Sequence, residues 1–258
     1  CSPSVFTVIV TVNPIPTLTV TPASSQTICS GDTITPLVLS PSPNNVSGTT
    51  YSWTRTNFGN LTGIPNSSGN SITGALTNTT NTPQTTDITI TAYANGCPSL
   101  PTTVSITVNP TQTVIANPTT QDICSSETAN ITLNTNPTLT GTTTYSWTRT
   151  NTTNVAGITN ETNISGPINI PLFNTTQTTQ TTTFEITANT NGCPTAPTYV
   201  TFTVYAPLTG PFVIGDGQDV CYGQDPQDLY ISTPPTGGSG NFSYQWQRSN
   251  NAGGPWTN

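Results

Sequence analysis

Short stretches in which apolar and polar residues alternate run along the whole chain, and they predict β-strands. In the segment 87–94, "DITITAYA", Ile88, Ile90 and Ala92 place an apolar side chain at every second position. Successive side chains of a strand point to opposite faces, so each such segment has one buried and one exposed face. Because Pro and Gly separate these segments, we expect an all-β fold with little or no helix.

The predicted strands form two matching sets. In the first set the segments are 17–22, 34–40, 50–56, 71–78, 87–94 and 102–109. The second set repeats the apolar triplets of the last two segments as Phe184, Ile186 and Ala188 and as Val200, Phe202 and Val204. Two antiparallel sheets that pack through such apolar faces make a β-sandwich.

The cysteines show that the two sets belong to an internal repeat. Cys29 and Cys124 are 95 residues apart, and Cys97 and Cys193 are 96 residues apart. The motif "QTICSGD" around Cys29 returns as "QDICSSE" around Cys124, and "ANGCPSLPTTVSITVNP" returns as "TNGCPTAPTYVTFTVYAP". A repeat of about 95 residues with about seven short strands has the size of an immunoglobulin-like sandwich.

This repeat divides the chain into four parts. The predicted parts are the C-terminal strand of a preceding repeat (1–14), two complete immunoglobulin-like repeats (15–110 and 111–206), and the N-terminal half of a further, divergent repeat (207–258). The junctions "NPIP" (13–16) and "NPTQ" (109–112) carry Pro, which favours extended, semi-rigid spacing. We therefore predict tandem antiparallel β-sandwich domains in an extended array.

Composition narrows the function classes. Charged residues make up 5% of the chain, and the net charge is −7, whereas an average soluble protein has roughly 25% charged residues. Nucleic-acid binding needs clustered Lys and Arg, and so does docking on an anionic membrane. No apolar run approaches the ~20 residues that cross a bilayer, and no signal peptide is visible. We expect a soluble segment without nucleic-acid partners or membrane insertion, with any export signal or anchor outside it.

All three cations of the chain stand at one repeated position. "YSWTRTN" occurs at 51–57 and 145–151, and "YQWQRSN" occurs at 244–250. The predicted core aromatics are Tyr51, Trp53, Tyr145, Trp147, Tyr244 and Trp246, and the arginines beside them are Arg55, Arg149 and Arg248. We expect each arginine to cap its core, with its stem over the aromatic ring and its head in water. The alternative interpretation is an arginine that binds an anion or a sugar acid in each domain.

The sequence offers little catalytic chemistry. With no His, it has no Ser-His-Asp triad, no Cys-His pair and no zinc site with imidazole ligands. Its carboxylates do not recur at equivalent positions, apart from a loose match of Asp32 with Glu127. We predict no catalytic residues, no enzyme activity and no cofactor. The one candidate metal site is an acidic segment that suits calcium, with the ligands Asp216, Asp219, Asp225 and Asp228.

The six cysteines lack the C-x-x-C spacing of metal sites and favour disulfides in an oxidising, extracellular setting. Pairing within a repeat gives Cys29–Cys97 and Cys124–Cys193, with Cys1 and Cys221 bonded outside this sequence. Plain immunoglobulin topology instead places Cys29 and Cys97 at opposite poles of one domain. Cys29 then meets Cys193 of the next repeat. Pairing within a repeat is favoured, while pairing between neighbours and free thiols remain open.

The residues also carry a family resemblance. The set "QTICSGDTI", "TTYSWTRTN" and "ITITAYANGCPSLPTTVSITVNP" resembles the PKD-like and immunoglobulin-like repeats of very long surface adhesins in gliding bacteria. The end of the chain, "TGGSGNFSYQWQRSNNAGGPWTN", resembles a sister class of repeat in the same proteins. The resemblance implies cell-surface display, export by type IX secretion, and use as an adhesin stalk or filament. It also implies O-glycosylation at Thr33 in "DTI" (32–34).

The leading hypothesis is therefore a structural and adhesive segment of a long extracellular bacterial protein. Its expected partners are neighbouring repeats, other copies in a filament, and an unidentified surface or polysaccharide. The alternative is an array of carbohydrate-binding modules attached to a secreted polysaccharide-active protein. Sugar binding needs exposed aromatics, for which Tyr222 and Trp256 are the candidates.

Overall fold

The chain is all-β, as the alternation predicts. The computed structural model describes residues 6–214, 217–249, 255 and 257. Its described residues form 26 strands and no helix. Two compact units are present. The first contains the residues up to Thr113 together with Thr135–Thr143 and Asn189–Thr195, and the second contains Val114–Asn134, Thr144–Ala188 and the residues from Ala196 onward.

Strand bounds repeat along the chain as the sequence does. The first repeat has β1 (Thr19–Thr21), β2 (Gln26–Cys29), β3 (Leu37–Ser40), β4 (Thr50–Arg55), β5 (Leu61–Gly63), β6 (Ser67–Ser68), β7 (Ser71–Ile72), β8 (Leu76–Asn78), β9 (Gln84–Ala94), β10 (Cys97–Pro98) and β11 (Thr102–Asn109). The second has β12 (Thr113–Asn117), β13 (Thr120–Ile123), β14 (Thr128–Asn136), β15 (Thr143–Arg149), β16 (Val155–Ala156), β17 (Asn160–Ile164), β18 (Ile168–Pro171), β19 (Phe173–Asn174), β20 (Gln180–Thr190), β21 (Cys193–Pro194) and β22 (Thr198–Val204). Then follow β23 (Ala206–Thr209), β24 (Phe212–Ile214), β25 (Tyr230–Thr233) and β26 (Thr236–Gly238).

Both complete repeats share one sheet topology. In the first, β1-β3-β7 form one sheet and β2-β11-β9-β4-β6 form the other, with β10 paired to β9. The corresponding sheets of the second repeat are β12-β14-β18 and β13-β22-β20-β15-β17, with β21 paired to β20. Most of these pairings are antiparallel, but β2 runs parallel to β11, and β13 runs parallel to β22. The parallel strand β2 was absent from the predicted set, and it positions Cys29.

Each repeat has its own apolar core, because the inward faces of its long strands are mostly apolar. In β9 the side chains of Ile88, Ile90 and Ala92 are fully buried, and the polar residues between them are not. The second core adds aromatic volume. There the Trp147 and Phe184 ring centroids are 5.2 Å apart, and those of Phe184 and Phe202 are 5.8 Å apart.

One predicted strand, 71–78, is in fact two. Ile72 on β7 pairs with Leu37 in one sheet, whereas β8 pairs with β5 in another. The chain bends between them at Gly74, which has a φ of +143°, in the region that favours glycine. A Cβ at this position would lie 3.0 Å from Cγ1 of Ile64. Ile72 and Leu76 are nevertheless both buried, as the alternation predicted.

Candidate functional site

A disulfide joins Cys29 to Cys193, two residues separated by 164 positions in the sequence. Cys29 ends β2, where its Cα partner in the parallel register is Asn109, the last residue of β11. The following turn fixes its backbone, because the Asp32 amide donates to the Cys29 carbonyl at 3.0 Å. The Cys29 amide in turn donates to Oδ2 of Asp32 at 3.3 Å. A short local motif thus holds this sulfur at the end of the sheet where β11 ends.

Cys193 lies in a tight hairpin between β20 and β21. Its Cα partner is Thr190, and Asn191 and Gly192 form the turn with φ values of +55° and +81°. Asn-Gly is the pair that tolerates positive φ at both central positions of a two-residue hairpin. The Cα atoms of Cys29 and Cys193 are 5.6 Å apart, within the range for disulfides. Both cysteines belong to the first compact unit.

Amide side chains surround the bond and fix the hairpin beside it. Nδ2 of Asn109 donates to the Asn191 carbonyl at 2.8 Å, and Nδ2 of Asn191 donates to the Thr140 carbonyl at 2.9 Å. Nε2 of Gln112 donates to Oγ1 of Thr190 at 2.7 Å. The Gln112 hydrogen bond is buried and shielded from competing water, the Asn109 hydrogen bond is part-buried, and the Asn191 hydrogen bond is exposed.

The favoured pairing within a repeat is wrong. Cys29 bonds to Cys193, which was the alternative between neighbouring repeats, while Cys97, Cys124 and Cys221 carry no disulfide in the structure. The reason is the parallel pairing of β2 with β11. Cys29 lies level with the last residue of β11, and Cys97 precedes its first. The eight residues of β11 span roughly 26 Å at ~3.3 Å each, far beyond the ~7 Å that a disulfide allows between Cα atoms. Cys1 lies outside the described residues.

We expect Asn109→Ala to weaken the disulfide without unfolding either sandwich. The change removes the hydrogen bond to Asn191. A hydrogen bond with a net contribution of about 1 kcal/mol corresponds to a roughly fivefold change in an equilibrium constant, so the constant for Cys29–Cys193 formation should fall by that factor. Titration against mixtures of reduced and oxidised glutathione measures that constant. Asn13→Ala is the matched control, because Asn13 holds the equivalent sequence position but contacts Asn95 instead. Equal constants for Asn109→Ala and the unmodified chain would contradict this role.

Arg55 and Arg149 are buried, so the expectation that the arginine heads reach water is wrong for these two. Arg55 is 4% exposed and Arg149 is 7% exposed. In the first repeat Nε and Nη2 of Arg55 donate to main-chain carbonyls, those of Ile64 at 2.8 Å and Leu61 at 3.0 Å. The guanidinium carbon lies 4.0 Å from the centroid of the Phe58 ring. Burial lowers the pKa of the Arg55 guanidinium from its ordinary value.

Arg149 closes the second core in the same way. Its Nε donates to the Ile158 carbonyl and its Nη1 to the Val155 carbonyl, both at 2.8 Å. Burial lowers the pKa of this guanidinium too. Its Nη2 is buried and has no hydrogen-bond partner. Through these hydrogen bonds Arg149 holds the loop after strand β15 against the core.

Arg149→Met is expected to destabilise the second unit by about 2–4 kcal/mol, because it leaves the buried Val155 carbonyl and the part-buried Ile158 carbonyl without donors. Arg248→Met is the matched control at the same repeat position. Arg248 is exposed, and surface changes usually stay within about 0.5 kcal/mol. Chemical unfolding followed by circular dichroism gives both values. A loss below about 1 kcal/mol for Arg149→Met would contradict the role of Arg149 in holding this loop against the core.

The predicted core aromatics divide by repeat. Tyr51, Trp53, Tyr145 and Trp147 are buried, and burial raises the pKa of both tyrosines. Tyr244 and Trp246 are instead 50% and 55% exposed, which corrects the prediction for this part of the chain. Trp53 lies on β4, which pairs with β9 in a complete sheet. Residues 244–249 belong to no strand in the described structure, apart from a bridge of Arg248 to Thr257.

The remaining candidates gain no support as sites. No three His, Cys, Asp or Glu residues come close enough to hold a metal ion in the part of the chain that the structure describes. Asp219, Asp225 and Asp228 therefore form no such group, and Asp216 lies outside the described residues, so the calcium site stays a prediction. Tyr222 is fully exposed, and Trp256 is also outside the described residues. Thr33 is exposed and lines a cavity of about 500 Å³ beside Cys193.

Sequence reasoning missed the junction asparagines. Asn109 follows an apolar alternation and precedes Pro, and so does Asn13 in the same "TVNP" motif. This recurrence at two of the three repeat ends was visible (the third has Tyr205), but it was assigned only to the linkers. The buried Asn78 and Asn174, which both donate to strand-end carbonyls, were missed as well.

Comparisons with known proteins agree with the repeat. A family model described as "PKD-like domain" matches residues 26–112 and 121–207. No curated protein matches the sequence. Among solved structures, the titin I-band fragment I67–I69 is 12% identical, with a TM-score of 0.38, and the match covers 75% of this chain and 66% of that one. The E-to-A variant of the same titin domains is 12% identical, with a TM-score of 0.38, and the match covers 76% of this chain and 67% of that one.

A third match is human mucin-like protocadherin EC1-2, at 10% identity and a TM-score of 0.29, covering 73% of this chain and 97% of that one. TM-scores this low establish nothing about function. Within the described residues, no helix has the length and apolar character needed to span a membrane.

Proposed function

We propose, from the premise that this chain belongs to the PKD-like domain family, that it is a structural and adhesive segment of a long extracellular bacterial surface protein. Tandem domains of this family are typical of structural or adhesion modules outside the cell, and they are typically non-catalytic. The disulfide is consistent with an extracellular location. In this proposal the repeats form a stalk or filament of a gliding-type adhesin exported by type IX secretion.

The Cys29–Cys193 disulfide is the observation that carries this proposal. A pulling force that enters through the residues before Cys29 passes across the bond to Cys193 and continues from there. The 164-residue separation encloses strands β3 to β20, which contain most of both cores. Those strands stay shielded from tension while the bond is intact. Such a bypass is useful in a stalk that transmits force.

The surface also fits a long life outside the cell. Across the outer face of one sheet, the hydroxyls of Thr85 and Thr107 lie 3.1 Å apart, and those of Thr89 and Thr103 lie 3.3 Å apart. The chain has no Lys, and two of its three Arg side chains are buried. Proteases that cleave after basic residues therefore find one exposed target in the described chain, at Arg248.

The two complete repeats do not support the carbohydrate-binding alternative. Trp53 and Trp147 are buried at 8% and 2% exposure, so neither ring offers a face for a sugar. The indole of Trp53 donates to the Pro65 carbonyl at 3.1 Å. We propose neighbouring repeats and other copies of the chain as partners, and a glycan on the exposed Thr33 as a modification.

Force-extension measurement of the chain, tethered at both ends, tests the proposal. Oxidised chains are expected to unfold with a contour length about 570 Å shorter than reduced ones, because 164 residues at ~3.5 Å each remain locked. Cys124→Ser is the control and is expected to leave the difference unchanged. Full extension of oxidised chains without reductant would mean that the bond carries no force, and the proposal would fail.

A further inference from the structure

We infer that Cys97 forms a second disulfide between repeats. Its partner is a cysteine in a preceding repeat of the same kind, on the strand that corresponds to β2. The biological role of this second disulfide rests on the proposed function. The evidence for the disulfide itself is geometric. It comes from comparing the surroundings of Cys97 with those of Cys193, which is bonded in the same chain.

The two cysteines occupy the same hairpin. Cys97 pairs with Ala94 across a turn formed by Asn95 and Gly96, with φ values of +48° and +80°. The bonded hairpin has the same Asn-Gly pair, at +55° and +81°. The backbone that presents the Cys193 sulfur is therefore present at Cys97 as well.

The asparagine that braces the bonded hairpin also recurs. Nδ2 of Asn13 donates to the Asn95 carbonyl at 3.1 Å, as Nδ2 of Asn109 does to Asn191 at 2.8 Å. Sγ of Cys97 lies 3.9 Å from the Asn13 carbonyl oxygen. Asn13 thus lies against Cys97, and in the bonded junction its counterpart Asn109 is the residue level with the partner Cys29.

The segment before Asn13 lacks the cover that its equivalent has. Val8, Val10 and Val12 are 82%, 78% and 87% exposed. They stand where Val104, Ile106 and Val108 of β11 are buried to 1% or less. This segment forms no strand in the structure, and its exposed alternating valines need a sandwich to cover them. By analogy with β2 and β11, the cover is a preceding repeat. Its strand corresponding to β2 runs parallel to this segment and places a cysteine level with Asn13.

Closing the junction is a two-electron oxidation. One thiolate attacks oxidised glutathione and releases one reduced glutathione, which gives a mixed disulfide. The second thiolate attacks the protein sulfur of that mixed disulfide and releases the other reduced glutathione. Each leaving thiolate takes up one proton that a protein thiol lost. The protein gains one sulfur–sulfur bond, and glutathione takes the two electrons.

A chain with the first repeat duplicated tests the inference. A second copy of residues 15–110 is inserted after residue 110, so that the new junction reads "TVNPIPTL", the natural sequence of 11–18. Ser24→Thr and Leu100→Val, both at exposed positions, mark the peptides of the added copy by mass. After oxidation with glutathione, we expect the original Cys29 bonded to the added copy's Cys97, and the added copy's Cys29 bonded to Cys193. The original Cys97 is expected to remain a thiol.

Two outcomes would overturn the inference. One is a Cys29–Cys97 bond within either copy, and the other is a free thiol at the added copy's Cys97 while its Cys29 is bonded to Cys193. The matched control carries Cys29→Ser in the original copy only, and there the added copy's Cys97 must stay reduced.

The unmodified chain provides a second measurement that does not depend on folding of the duplicated one. A synthetic peptide with the sequence of residues 24–35 is expected to form a mixed disulfide with Cys97 at least about fivefold more readily than a scrambled peptide, given one added hydrogen bond or more. Equal yields would contradict the inference. The force measurement depends on Cys29–Cys193 alone, so failure of the proposed function and failure of the Cys97 junction give different results.

Discussion

Trp147→Ala is expected to lower the free energy of unfolding of the second unit by about 3–5 kcal/mol, the usual loss for a large aromatic removed from a core. The Trp147 side chain is 2% exposed and packs against Phe184, with ring centroids 5.2 Å apart. Its indole also donates to Oε2 of Glu161 at 3.3 Å. Strand β15, which carries Trp147, is paired with β20 on one side and with β17 on the other, so the cavity left by the ring is expected to collapse little.

Trp246→Ala is the matched control, because it changes the same residue of the Tyr-x-Trp-x-Arg motif where the ring is 55% exposed. The expected loss there is within about 0.5 kcal/mol. Calorimetry of both variants and the unmodified chain measures the difference. A similar loss for both tryptophans would mean that burial does not distinguish the two motifs, contrary to the structure.

The second large effect is expected from Cys29→Ser. In the chain-entropy model, a loop of 164 residues contributes at most about 5 kcal/mol by restricting the unfolded chain. The measured loss should be smaller where the two units unfold in separate steps, because a folded unit already restricts the loop. Urea unfolding of oxidised Cys29→Ser and of the unmodified chain gives the value.

Cys124→Ser provides the control for this change, because Cys124 carries no disulfide and is exposed. Reduction of the unmodified chain should reproduce the Cys29→Ser result. Reduction of Cys29→Ser should change nothing further. If Cys124→Ser destabilised the chain as much as Cys29→Ser, the cysteine connectivity described here would be wrong.

The sequence was sufficient to predict the sandwich because burial follows the period of two in the long strands. Ile88, Ile90 and Ala92 were assigned inward and are fully buried, and strand β11 has the predicted bounds of 102–109. The bend at Gly74 was not predictable in this way. Ile72 and Leu76 keep the same parity across it, although their strands join different sheets.

The candidate site was predictable only in part, because it depends on which end of the sandwich each turn occupies. The cysteine spacing identified the right residues and left both pairings open. The choice needs the parallel pairing of β2 with β11, which sets Cys29 level with Asn109. The short segment 26–29 has too few residues for alternation to reveal a strand. For Arg55, strand geometry gave the correct face but not the carbonyls of the next loop, which draw the guanidinium inward.

The most direct test of the account is a non-reducing peptide map of the 258-residue chain. Free thiols are alkylated first, and digestion with pepsin in acid then prevents disulfide exchange while not depending on basic residues. The account predicts one linked pair, Cys29 with Cys193, and alkylated Cys97 and Cys124. A Cys29–Cys97 link would contradict it, because that bond requires the two ends of β11 to meet and would leave each repeat closed on itself.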